Sequence, residues 1–158
     1  MNKVAALLTG LFKSRSGEDL KFDAETPAML EAMRQARESL PVFWEWLEAN
    51  QETGANRAFK MGFGTRRGAT EYIWLSDIRR TEFFVSGIVS NQPRDISDLK
   101  EGEIYPINVD KVADWTFEQD GLFYGHFTTR VLAASDPSMA AVMRTVSDSP
   151  LPSASVRH

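Results

Sequence analysis

The chain changes its hydrophobic period twice, and those changes divide it. Leu7, Leu8, Leu11 and Phe12 share one helical face at i, i+1, i+4, i+5 spacing, so residues 1–23 read as a short amphipathic helix and a polar linker. Thr26-Pro27 then opens a helix, with Thr26 as its N-cap and Pro27 at the first position, where a missing N–H costs nothing. Met29, Leu30, Met33, Ala36 and Leu40 recur at the helical period and predict one buried stripe. Pro41 predicts a kink or break, followed by a second short helix carrying Val42, Phe43, Trp44, Trp46 and Leu47, with Gly54 at its exit.

From Arg57 the period falls to two. Phe59, Met61 and Phe63 alternate with Ala58, Lys60 and Gly62, the pattern of a half-buried strand. Gly64 to Gly68 makes a turn. Thr70 to Ile78 is apolar on both faces and so is expected at the centre of a sheet. Phe83 to Ser90 follows, with Gly87 inside it marking a bulge or a close approach of backbones. Ile104 to Val109 contains Pro106, which places it at an edge. Val112 to Phe117 and Leu122 to Leu132 read as a last hairpin, closed by Glu118-Gln-Asp-Gly121.

Helices followed by strands predict an α+β domain over residues 24–134. Its N-terminal helices would pack on a strongly twisted antiparallel meander of about six strands, able to curl into a partly open barrel. Asp136-Pro137 caps a short C-terminal helix within 135–146, and residues 147–158 read as a flexible Ser- and Pro-rich tail.

Composition then removes whole classes of function. At 158 residues and 42% apolar, one domain can bury a core without a metal or disulfide staple. The absence of cysteine excludes disulfides, thiolate metal sites and a cysteine nucleophile, and two histidines exclude a histidine-rich metal centre. No metal or other cofactor is expected. A net charge of −4 argues against a dedicated nucleic-acid binder, and no run reaches the ~18 apolar residues of a membrane span. The apolar stretch 4–12 is interrupted by Gly10 and runs into Lys13-Ser-Arg15 without an Ala-x-Ala cleavage site. A cytoplasmic location is therefore expected, with export or membrane association through residues 1–12 as the alternative.

No phosphate-binding glycine loop, nucleophile elbow or metal-ligand spacing is present, and Gly62-Phe-Gly64 is a turn between strands. Glu71, Asp77, Asp114 and His126 are the one set that acid–base chemistry could use if they converged in a cleft. Alternation puts Glu71 and Asp77 on the same strand face, although Asp77 has Arg79 and Arg80 at hand to pair with. Asp114 opposes the core-facing Trp115 and is read first as structural. Charge is polarised along the chain. Residues 57–90 carry six cations and three acids, whereas 91–126 carry three cations (Arg94, Lys100, Lys111) and eight acids.

Phe59-Lys-Met-Gly-Phe63, Glu71-Tyr-Ile-Trp74, Asp77-Ile78, Ser86-Gly87, Asn91-Gln-Pro93, Leu99-Lys-Glu-Gly102, Asp114-Trp115, Gly125-His-Phe-Thr128 and Arg130-Val-Leu132 follow one another in an order that resembles the bacterial YegJ-like family, domain of unknown function 2314. The resemblance spans about residues 28–134. It implies a small α+β bacterial domain and brings no catalytic residues with it. Domains of this kind also resemble the small acidic immunity proteins that accompany secreted bacterial toxins. The expected function is therefore a non-catalytic protein-binding domain that occludes a basic toxin or enzyme. Its surface would be Asp95, Asp98, Glu101, Glu103, Glu118 and Asp120, with exposed aromatics at Trp44 and Trp46. The alternative is a small hydrolase-like enzyme using Glu71, Asp77, Asp114 and His126.

Overall fold

A computed structural model of the chain describes residues 26–51 and 56–153. The expected amphipathic helix and linker at 1–23, the helix exit at Gly54 and residues 154–158 lie outside them. Helix α1 (Pro27–Glu38) starts where predicted, the Thr26 hydroxyl accepting a hydrogen bond from the Met29 amide at 3.2 Å. Ser39 ends it, and α2 (Leu40–Asn50) restarts at once with Pro41 in its first turn. Met29, Ala32, Met33 and Ala36 form the buried stripe of α1. Leu30, expected in that stripe, is 54% exposed because it sits on the flank one helical step away.

Six strands follow: β1 (Arg57–Gly64), β2 (Thr70–Arg80), β3 (Val85–Val89), β4 (Ile104–Ile107), β5 (Val112–Gln119) and β6 (Leu122–Gly125). They form one antiparallel sheet in the order β4-β3-β2-β1-β5-β6, which is not closed. The predicted meander holds for β1 to β4, but β5 returns to pair with β1, three strands away from β4. Only residues 108–111 join β4 to β5. In a flat sheet that link would cross four strand spacings, about 19 Å, plus an offset along the strands. Its five Cα–Cα steps reach about 18 Å at full extension. The sheet must therefore curl, and the edge-on contact of Phe63 in β1 with Tyr105 in β4, centroids 5.2 Å apart, is the result.

Curling gives the sheet a wrapped inner face and an outer face that is only partly covered. Inside, Phe59, Met61, Ile73, Leu75, Trp115 and Phe117 pack with Phe43, Trp46 and Leu47 of α2. Outside, Ala58 and Trp74 share a second cluster with Met29, Met33, Phe123, Leu132 and Met139. β1 is consequently buried on both faces from Arg57 to Met61, not half-buried as its alternation predicts. Gly87 lies where a Cβ would come within 2.9 Å of Leu75 and Ile78, the close approach its place in the strand implied.

The last hairpin departs most from expectation. Its turn is the predicted Asp120-Gly121, both at positive φ. However, β6 ends at Gly125, and residues expected as strand form helix α3 (Phe127–Ala134). Gly125 (φ +74°) presses against Trp115, whose carbonyl oxygen would lie 2.1 Å from a Cβ there, and His126 follows at φ +53°. The C-terminal helix is shorter than expected, a 3₁₀ turn at Pro137–Met139 running into the four-residue α4 (Ala140–Met143). Residues 147–153, expected as tail, are tied down. Val146 bridges Phe123, the Arg130 guanidinium donates to the Ser147 carbonyl at 2.6 Å, and the Gly125 amide donates to the Pro150 carbonyl at 2.7 Å.

Candidate functional site

The switch from β6 into α3 is built around Asp114. Lys60 of β1 stands directly across from it in β5, both on the outer face. The Asp114 carboxylate accepts from the amides of Trp115 (2.8 Å), Phe127 (3.0 Å) and Thr128 (2.9 Å), and from the Thr128 hydroxyl. It thereby supplies the acceptor for the first turn of α3, which no side chain of its own N-cap, His126, supplies. Lys60 Nζ donates to the Thr128 hydroxyl at 3.1 Å and lies 5.3 Å from the centre of the Tyr72 ring. Burial pushes the Asp114 carboxyl up, against the pull of Thr128 and Lys60.

His126 lies beside this network in full burial. Its Nδ1 is 2.8 Å from the Thr129 hydroxyl, its ring is 5.1 Å from that of Trp74, and Nε2 has no hydrogen-bond partner. Burial, with Arg130 and Lys60 adding to it, pushes the imidazole down to about 3, so the ring is neutral at pH 7. Sequence reasoning named Asp114 and His126 but missed Lys60, Thr128 and Thr129. A lysine in a strand with apolar residues at both periods was the available signal for Lys60.

Glu71 and Asp77 are elsewhere. Glu71 lies on the face opposite Asp114, and its carboxylate accepts from the amides of Arg94 and Asp95, each at 2.9 Å. Asp77 sits in a bulge at φ +50°, 3.2 Å from Arg79 and 4.0 Å from the buried Arg57. That bulge breaks the alternation that put Glu71 and Asp77 on one face. The four groups of the catalytic alternative thus occupy three separate places. None of them lines the cavity of about 290 Å³ between Val42, Trp46, Phe117, Gln119 and Pro152. Among the described residues no group of three or more acids and histidines is placed to hold a metal, and no helix is long and apolar enough to cross a membrane.

The acidic residues of the 91–103 loop are all outward. Asp95, Asp98, Glu101 and Glu103 are exposed, while Pro93 and Leu99 between them are buried. The loop is braced by the Glu71 carboxylate, by Gln92 accepting from the Glu101 amide at 3.3 Å, and by Glu103 accepting from the Lys100 amide at 3.1 Å. Glu118, half-buried near the end of β5, and Asp120 in the β5–β6 turn lie at the opposite end of the strands, so the six acids do not make one surface. Trp46 is buried and stacked on Phe117 at 4.5 Å, which corrects its expected exposure. Trp44 is half-buried against Phe59 with the Arg80 guanidinium over its ring. Among the described residues the large exposed aromatics are instead Phe83 and Phe84 in the β2–β3 turn.

A curled, open six-strand antiparallel sheet with helices packed on both faces defines an α+β domain. A family described as an uncharacterized protein conserved in bacteria (DUF2314) matches residues 26–144, and the chain belongs to it. It is 26% identical to the uncharacterized protein YegJ of Escherichia coli (strain K12), over 89% of this chain and 94% of that one. It is 31% identical to a putative ankyrin repeat protein of Neisseria meningitidis serogroup B, over 39% of this chain and 24% of that one. No solved structure matches significantly.

Proposed function

We propose that this chain is a non-catalytic binding domain that takes a basic protein partner on the 91–103 loop. The observation that carries this reading is the combination of four outward carboxylates with a backbone held in place by Glu71, Pro93 and Leu99. A loop backbone fixed before binding gives up little conformational freedom on association, and four acids against the two cations Arg94 and Lys100 leave the loop net negative, which speeds encounter with a basic protein. The partial relative named as an ankyrin repeat protein points the same way, since such a name belongs to a protein-interaction context. The partner fits a basic toxin or enzyme whose substrate cleft is occluded, as an immunity protein does. A cytoplasmic site of action goes with this reading.

The test is the fourfold reversal Asp95→Lys, Asp98→Lys, Glu101→Lys and Glu103→Lys, compared with the intact chain in binding to whatever basic protein the intact chain retains from its own host. Circular dichroism should be unchanged and retention lost. Equal affinity for both proteins would remove this surface.

A further inference from the structure

The cavity of about 290 Å³ opens where α2, the end of β5 and residues 152–153 meet. It lies at the far end of the strands from the 91–103 loop, so its role stands apart from the partner-binding reading. Trp46 and Phe117, stacked 4.5 Å apart, are its most buried lining residues and form its base, while Val42 and Pro152 add apolar walls. The polar lining is Glu45, Asn50, Gln119 and Ser153, and Glu45 is the one ionisable side chain among them.

The surrounding charge has a single sign. Residues 40–51 carry Glu45 and Glu48, residues 116–122 carry Glu118 and Asp120, and residues 145–153 carry Asp148. No lysine, arginine or histidine occurs in any of the three. Ala49 and Asn50 also bring the C-terminal end of α2 to the lining, and its last turn holds no basic residue. The carbonyl end of a helix adds partial negative charge there. An anion is repelled by such a site, and a neutral molecule gains nothing from its field.

We propose that this cavity binds a small aliphatic guanidinium compound. The stem is taken out of water against Trp46, Val42 and Pro152, and the charged end stays at the rim beside Glu45 and Gln119. A guanidinium suits the place better than an ammonium, because it is more weakly hydrated and tolerates an aromatic neighbour. At about 30 Å³ for each water-sized group the space holds roughly ten non-hydrogen atoms, close to the size of butylguanidine. Walled on three sides, it fits a molecule that enters whole.

The probes are butylguanidine, butylurea as a neutral molecule of nearly the same shape, and guanidine as the cation without a stem. In NMR titrations of the full-length protein, butylguanidine should shift the Trp46 indole N–H and the Gln119 side-chain amide saturably, with about millimolar affinity. Butylurea and guanidine should each bind about tenfold more weakly. Glu45→Gln should weaken butylguanidine about three- to fivefold. Ala49→Phe, at an exposed lining position, should abolish binding with circular dichroism unchanged. Four results would overturn the proposal. They are shifts that do not saturate, equal affinity for butylurea, shifts as large across residues 91–103 (attraction to any acid), and tighter binding of arginine in a capped tripeptide (a side chain of a protein partner).

Discussion

The Lys60–Asp114–His126 junction and the 91–103 loop use the same kinds of side chain to opposite ends. In the junction, one carboxylate is surrounded by four donors and a lysine, every one of them out of water. In the loop, four carboxylates face water and a fifth, Glu71, holds the backbone beneath them. A buried charge is costly to leave unpaired, so the junction is committed to holding β5, β6 and α3 together. An exposed charge contributes little to stability and remains available to a partner. Residue type alone does not separate a structural acid from a binding one; burial and the identity of the donors do.

Asp114→Ala should sharpen that contrast most. It leaves the first amides of α3 buried without their acceptor and removes the negative charge beside the buried Lys60, and a loss of about 3–5 kcal/mol is expected in urea unfolding. Next comes the pH dependence of His126. The unfolded chain takes up a proton near pH 6.5 that the folded ring refuses until about 3, so stability should fall as pH drops through that window. The contribution is on the order of 4 kcal/mol at its lower end. Asp114, pushed the other way, contributes an opposite slope above the ordinary carboxylate range. The difference between the wild type and His126→Gln isolates the imidazole: the variant should lack the acid-side loss, and parallel curves would contradict the assignment.

Glu71→Ala should cost about 1 kcal/mol, since its bonds to the Arg94 and Asp95 amides lie at the surface. It should nevertheless weaken partner binding by loosening the loop, with hydrogen exchange at residues 92–96 rising in the free protein. The smallest stability effect belongs to single reversals of Asp95 or Glu101, expected within about 0.5 kcal/mol of wild type by thermal melting. If either unfolded the domain, the division between structural and outward acids would fail.

Much of the scaffold is legible in the sequence wherever a local rule decides the outcome. Thr26-Pro27 set the start of α1, Pro41 the restart at α2, Asp120-Gly121 the hairpin, and Pro106 the edge strand. What is hidden depends on partners distant in sequence. Phe127-Thr-Thr-Arg-Val-Leu carries β-branched and aromatic residues that favour a strand. It is helical because Asp114, thirteen residues upstream of Phe127, accepts its first amides. The bulge at Asp77 likewise arises in the pairing of β2 with β3, and no alternation pattern announces it. Of the candidate site residues, the exposed acids of the 91–103 loop could be read from charge clustering. That Glu71 serves that loop, and not acid–base chemistry beside Asp114, required the fold.

The most direct measurement is hydrogen–deuterium exchange of the intact protein, alone and with any basic protein that it retains from its host. Binding on the acidic loop predicts new protection across residues 91–103 and none at 125–130, where the amides are already held by Asp114 and Trp115. Protection that changes at 125–130 while 91–103 stays the same would mean that the junction is the working site, and would contradict the account.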